Sequence, residues 1–91
     1  MSQRVAIITG GGRGLGRAFA KRLAEDGNTV VIAEINQESA DKVKEEIISS
    51  GYKAYSIKTD VTDEMSVKQM VEEVCSVYGR IDILVNNAAL L

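Results

Sequence analysis

Four short stretches carry residue types that could hold a charged ligand. The first is Thr9-Gly10-Gly11-Gly12-Arg13-Gly14-Leu15-Gly16, placed directly after the apolar run Val5-Ala6-Ile7-Ile8. Glycines where a buried strand turns into a helix let backbone N–H groups approach a pyrophosphate. The positive end of the helix dipole then lies behind that anion. A turn built only for tight strand–helix packing is the bland alternative. A strand before and a helix after favour the ligand site. A P-loop is excluded, because Gly16 is followed by Arg17-Ala18 and not by Lys and Ser or Thr.

The second is Glu34, eighteen positions after Gly16 at the end of another apolar run. That is close to the offset of about 20 residues at which an acid meets an adenosine ribose. A carboxylate there accepts both ribose hydroxyls and repels a 2′-phosphate; the competing reading is a solvated loop glutamate. Arg13 argues the other way, since a guanidinium suits a 2′-phosphate, unless it simply faces solvent. Glu34 opposes NADP directly whereas Arg13 only permits it, so the balance favours NAD.

The third is Asp60-Val61. Asp60 could accept from an adenine amino group, with Val61 packed beside the ring, or it could serve helix capping, a role that suits Asp63 better. The fourth is Asn86-Asn87-Ala88-Ala89, where two amides can satisfy neighbouring loops and two small residues permit close approach. By itself it reads equally well as an ordinary turn.

The elements that must position these residues alternate between strand and helix. Arg4 to Thr9 reads as a strand covered on both faces. Gly14 to Asp26 reads as a helix with an apolar stripe of Leu15, Ala18, Phe19 and Leu23, and Gly27 stops it. Asn28 to Ile35 is a second strand, and Asn36 caps a helix with Ala40, Val43 and Ile47 inward, ended by Gly51. Tyr52 to Thr59 is a third strand. Thr62 or Asp63 starts a helix striped by Val67, Met70, Val71, Val74 and Tyr78, and Gly79 closes it. Ile81 to Val85 is a fourth strand. The expectation is an α/β fold: a Rossmann-like parallel sheet of strand order 3-2-1-4 with flanking helices, truncated after strand 4. The ligand crevice is expected at the switch point between strands 1 and 4.

Composition bounds the rest. Ninety-one residues, 45% of them hydrophobic and 26% charged, suit one small domain, read as a partial dinucleotide-binding domain over residues 1–91. A net charge of −2 gives nucleic-acid binding no electrostatic support. The apolar runs are too short to span a bilayer. With no histidine, a zinc site is not expected. Cys75 has no partner for an internal disulfide and sits on the stripe beside Val74, which reads as a buried, inert thiol. A cytoplasmic setting is expected. Lys42, Lys44, Glu45 and Glu46 read as a solvated helix face.

Taken together, Thr9-Gly10-x-x-x-Gly14-x-Gly16, Asp60-Val61 and Asn86-Asn87-Ala88-Ala89 resemble the classical short-chain dehydrogenase/reductase family, with Ala89 where that family usually has glycine. The resemblance covers the chain. It implies that Gly10, Arg13, Gly14, Leu15 and Gly16 line the pyrophosphate and its approach. It implies that Glu34 holds the adenosine ribose and that Asp60 and Val61 contact adenine. Asn87 would stabilise the central sheet, with Ala88 and Ala89 beside the cofactor ribose. The family's hydride transfer uses a Ser and a Tyr-x-x-x-Lys pair that follow the last motif. Tyr52, Tyr55 and Tyr78 are followed four positions on by Ser56, Thr59 and Asp82, so no catalytic role is carried over.

Three readings follow: a cofactor-binding portion of an oxidoreductase, a non-catalytic nucleotide-binding or self-associating module, and a Rossmann-like methyltransferase fragment. The first is preferred, with NAD as cofactor and NADP less favoured. A bare strand-4 edge and an uncovered sheet face imply self-association.

Overall fold

The computed structural model describes residues 4–10, 12 and 14–87. Its elements are β1 (Val5–Thr9), α1 (Gly14–Glu25), β2 (Thr29–Glu34), α2 (Gln37–Ser49), β3 (Ala54–Lys58), α3 (Glu64–Tyr78) and β4 (Ile83–Asn86). The strands form one sheet in the order β3-β2-β1-β4, as expected from the alternation. Every pairing is parallel; β1 aligns Val5 with Thr29 on one side and Ala6 with Ile83 on the other. The fold is therefore Rossmann-like, with all C-terminal strand ends at one rim of the sheet.

Side chains alternate between the two faces of a strand, and β1 and β2 bury every position on both. On one face Ile8, Val30 and Ile32 pack against Ala20 and Ala24 of α1 and Ala40, Val43 and Ile47 of α2. On the other, Val5, Ile7, Val31 and Ala33 meet Met70 and Val74 of α3. Continuous apolar runs are what such doubly covered strands require.

Helix ends follow local chemistry. Asn36 caps α2 by accepting from Ser39 N–H at 3.0 Å. Asp63, not Thr62, caps α3 by accepting from Met65 N–H at 3.0 Å. Gly79 closes α3 at φ 78°, a left-handed conformation that suits glycine.

Two expectations are overturned. The inner face of α1 is Gly16, Ala20 and Ala24, with Leu23 packed partly against the core; Leu15 is 65% and Phe19 40% exposed, and Ala18 is exposed too. The helix lies so close to the sheet that a methyl group on Gly16 would stand 2.3 Å from the Gly10 carbonyl oxygen. Only the small residues fit that contact, so the bulkier stripe turns outward. Cys75 is exposed, one step round α3 from buried Val74. On the same helix Met70 and Val74 are buried, while Val71 stays 37% exposed.

Candidate functional site

The C-terminal ends of β1, β2 and β3 enclose a cleft of about 210 Å³. It is lined by Gly10, Ala33, Glu34, Ile35, Thr59, Asp60, Val61 and Thr62. Four residues singled out in the sequence therefore meet in one place: Gly10, Glu34, Asp60 and Val61. This is the rim at which open α/β sheets bind ligands.

Glu34 ends β2 and is 5% exposed. A carboxylate so buried must be hydrogen-bonded to be tolerated. Its Oε1 accepts from Gly12 N–H at 3.3 Å, and its Oε2 accepts from Asn36 N–H at 3.1 Å. It thus ties the glycine turn to the entry of α2. Each oxygen keeps lone-pair capacity for a further donor.

Asp60 follows β3 and forms a local turn, accepting at Oδ1 from both the N–H (3.0 Å) and the hydroxyl (2.6 Å) of Thr62. Those donors, the hydroxyl foremost, hold its carboxyl below the usual carboxylate value. Its own N–H donates to Ser66 Oγ at 2.8 Å, which fixes the loop to α3. Asp60 is therefore poised as an acceptor at the cleft, while capping falls to Asp63.

Gly16 is buried at the start of α1 and lies under Gly10, where a methyl group would also stand 2.5 Å from Asn87 Nδ2. Asn87 Nδ2 donates to the Gly10 carbonyl at 3.2 Å. Its backbone N–H donates to Thr9 Oγ1 at 3.0 Å, and the Thr9 hydroxyl donates in turn to Asn86 Oδ1 at 3.0 Å. Thus the amide pair at the end of β4 ties the glycine turn to the edge of the sheet. Gly14 and Leu15 stand exposed at the N-terminus of α1. That first turn holds no carboxylate, whereas α2 has Glu38 and α3 has Glu64 there. Arg13, Ala88 and Ala89 lie outside the described residues.

A second cleft of about 260 Å³ opens between α3, β1 and β4. It is apolar, lined by Ile7, Val67, Met70, Val71, Ile81 and Leu84, with Thr9, Val61 and Asn86 at its edge. Val61 borders both clefts. This one touches the expected junction of strands 1 and 4, whereas the first cleft lies at the ends of β1, β2 and β3.

Away from the rim, Glu46 is not merely a solvated face. Arg17 Nε and Nη2 donate to its two oxygens at 2.9 and 3.0 Å, and Lys21 lies 3.6 Å away. Hydrogen bonding to Arg17 holds the Glu46 carboxyl below its usual value. Sequence reading gave Gly12 no role of its own within the glycine turn, and it missed Ser39 and Ser66 beside the rim.

With this geometry in view, comparison with known proteins is direct. The family described as short chain dehydrogenase matches residues 4–91. The chain belongs to that family. An uncharacterised oxidoreductase of Thermotoga maritima is 48% identical over 88 residues, covering 97% of this chain and 34% of its own length. A metagenomic short-chain oxidoreductase solved in complex with NADP superposes with TM-score 0.93 at 34% identity, over 99% of this chain and 41% of its own. An NAD+-bound xylitol dehydrogenase superposes with TM-score 0.90 at 37% identity, over 94% of this chain and 33% of its own. The chain thus spans about a third of the length of the curated relatives it matches. The family match sets aside the methyltransferase reading. Family members bind nicotinamide cofactors, and both NAD- and NADP-containing structures resemble this chain. Among the described residues, no helix is long and apolar enough to cross a membrane.

Proposed function

We propose that residues 1–91 form the adenosine- and pyrophosphate-binding part of an oxidoreductase that uses NAD in preference to NADP. One observation carries this reading: Gly10, Glu34, Asp60 and Val61 converge on a single cleft at the C-terminal rim. Glu34 would accept from the ribose hydroxyls, Asp60 from the adenine amino group, and Val61 would pack against the ring. The glycine turn, with Arg13, Gly14 and Leu15, would face the pyrophosphate at the unneutralised end of α1. Ala88 and Ala89 would lie beside the nicotinamide ribose.

The cofactor, when bound, supplies a hydride donor or acceptor; the substrate class is a hydroxyl or carbonyl compound. This chain's residues bind and orient, since none of its tyrosines precedes a lysine by four positions. The isolated chain is therefore expected to bind nucleotide without turning over substrate.

Calorimetric titration of the 91-residue chain with NAD and with NADP tests the reading. Saturable NAD binding, tighter than NADP, supports it; heat from neither nucleotide overturns it for this chain. The proposed partner surface is the β4 edge, where Leu84 is 62% exposed beside the apolar cleft. Open strand edges pair with like edges. Concentration-dependent dimers in sedimentation are expected, and a monomer at all concentrations sinks that part.

A further inference from the structure

We infer that Thr62 is a positioning residue for adenine recognition: its hydroxyl and N–H pin one oxygen of Asp60, which leaves the other as a fixed acceptor for the base. The inference rests on the adenosine reading of the cleft, and it assigns a part to a residue that acts through Asp60.

Asp60 and Thr62 both line the cleft, with Val61 between them. The main chain on either side of the Asp60 carboxylate is held. Thr59 N–H donates to the Glu34 carbonyl at 2.9 Å, Asp60 N–H to Ser66 Oγ at 2.8 Å, and Asp63 N–H to the Asp60 carbonyl at 3.0 Å. These bonds tie the loop to the end of β2 and to the first turn of α3. The side chain is held separately. Both donors of Thr62 fall on Oδ1, the N–H at 3.0 Å and the hydroxyl at 2.6 Å. The second is as short as a charge-assisted O–H···O⁻ bond, about 2.5–2.7 Å. Oδ2 accepts no hydrogen bond among the described residues.

Capping does not account for this arrangement. Asp63 caps α3, and the Asp60 carboxylate accepts from no N–H of that helix. Pinning Oδ1 instead fixes the plane of the carboxylate, through a β-branched side chain whose χ1 is stiff. A carboxylate free to turn in a loop must be ordered when a ligand arrives, and that cost weakens binding. One held in advance takes a donor on Oδ2 with little left to order. An ionised carboxylate is also acceptor-only, and the Thr62 hydroxyl, ahead of its N–H, keeps the Asp60 carboxyl below its usual value. The group it suits is therefore an exocyclic amino donor, which adenine carries.

The test compares two probes on the 91-residue chain: adenosine 5′-monophosphate (AMP) and purine riboside 5′-monophosphate, which has hydrogen in place of the amino group. The readout is the ratio of their dissociation constants by calorimetry. A general loss of stability moves that ratio little, because both probes need the same fold. Wild type is expected to favour AMP about tenfold, the scale of one hydrogen bond to a charged group. Thr62→Val keeps the shape and removes the hydroxyl; it should cut the preference to about threefold or less, the scale of ordering one side chain. Thr62→Ala should do the same, and Thr62→Ser, which keeps the hydroxyl, should keep the wild-type ratio. Thr62 is exposed, so thermal melts of all three should match wild type. A wild-type ratio in Thr62→Val and Thr62→Ala overturns the inference and leaves the adenine reading standing. A Thr62→Ser that behaves like Thr62→Val overturns it too, because the hydroxyl is then not the acting group. Asp60→Ala should bring the ratio close to one; if it does not, the adenine role of Asp60 falls and the inference with it. Equal binding of the two probes by wild type, or no binding of AMP, overturns both.

Discussion

β2 and β4 flank the same strand, yet they are attached to it by different means. β2 is buried at all six positions between α1 and α2 on one face and α3 on the other. β4 alternates between half-buried and exposed residues and borders the open apolar cleft. What β4 lacks in burial it offsets with polar fasteners at both ends. At its entry, Asp82 Oδ2 accepts from Val5 N–H at 2.8 Å, Asp82 N–H donates to the Val5 carbonyl at 2.9 Å, and Arg80 grips the same carboxylate. At its exit stands the Thr9–Asn86–Asn87–Gly10 set. Burial is non-directional and tolerant of pH; hydrogen bonds are directional, and those to the Asp82 carboxylate depend on pH as well. The C-terminal rim thus joins a deeply buried side, which ends at Glu34, to a side whose attachment depends on a few polar groups.

The most severe way to break this contrast is Gly16→Val, which forces atoms into the Gly10 carbonyl and Asn87 at the seam of the two halves. A destabilisation above about 4 kcal/mol is expected, beyond ordinary overpacking because the nearest neighbour is the Gly10 backbone. Urea unfolding followed by circular dichroism would detect it. A midpoint near wild type would mean that the turn can move as a unit.

Ile32→Ala probes the buried side alone and should cost about 3 kcal/mol through lost transfer energy and a cavity. Thermal melts should place it well below Asn87→Ala, for which about 1–2 kcal/mol is expected from the lost bond to the Gly10 carbonyl. The reverse order would mean that the polar fasteners outweigh the core.

Acid sharpens the comparison further. Arg80 first, and the Val5 N–H second, hold the Asp82 carboxyl below its usual value. A carboxyl depressed on folding stabilises above its unfolded value, about 3.9, and that contribution fades as pH falls through the lower folded value. Amide protection in β4 should therefore drop before protection in β2 as pH is lowered from 5 towards 2. Asp82→Asn should flatten that difference, and an unaltered gap would remove Asp82 from the account. The smallest effect expected is Leu84→Ala, within about 0.5 kcal/mol, as befits an exposed side chain. A larger loss in a dilute melt would show that something covers that face.

Element order, strand order, the Asn36 cap and the meeting of Gly10, Glu34, Asp60 and Val61 were legible because each rests on a local rule: apolar runs, capping chemistry and the residue offset to an acid; the cap of α3 stayed open between Thr62 and Asp63. The inner face of α1 was not. Counting bulky apolar residues selects Leu15 and Phe19, whereas the decisive quantity is how near the helix axis lies to the sheet, set by Gly16 against Gly10. Cys75 was misread for a related reason: neighbours along a helix are about 100° apart, so a buried Val74 says little of the next residue. The bond from Gly12 N–H to Glu34 needed three-dimensional placement altogether.

The fasteners on β4 also set an order of events. Val5 and Asp82 are 77 positions apart. At about 5–20 residues per second, a ribosome delivers the second roughly 4–15 s after the first. For most of that interval β2, made some two dozen residues after β1, is already available, while the other edge of β1 has no parallel strand to receive. The nascent chain thus spends seconds with an edge of unpaired backbone N–H and C=O groups on offer, and the timing of translation bears on its yield as well as its final stability.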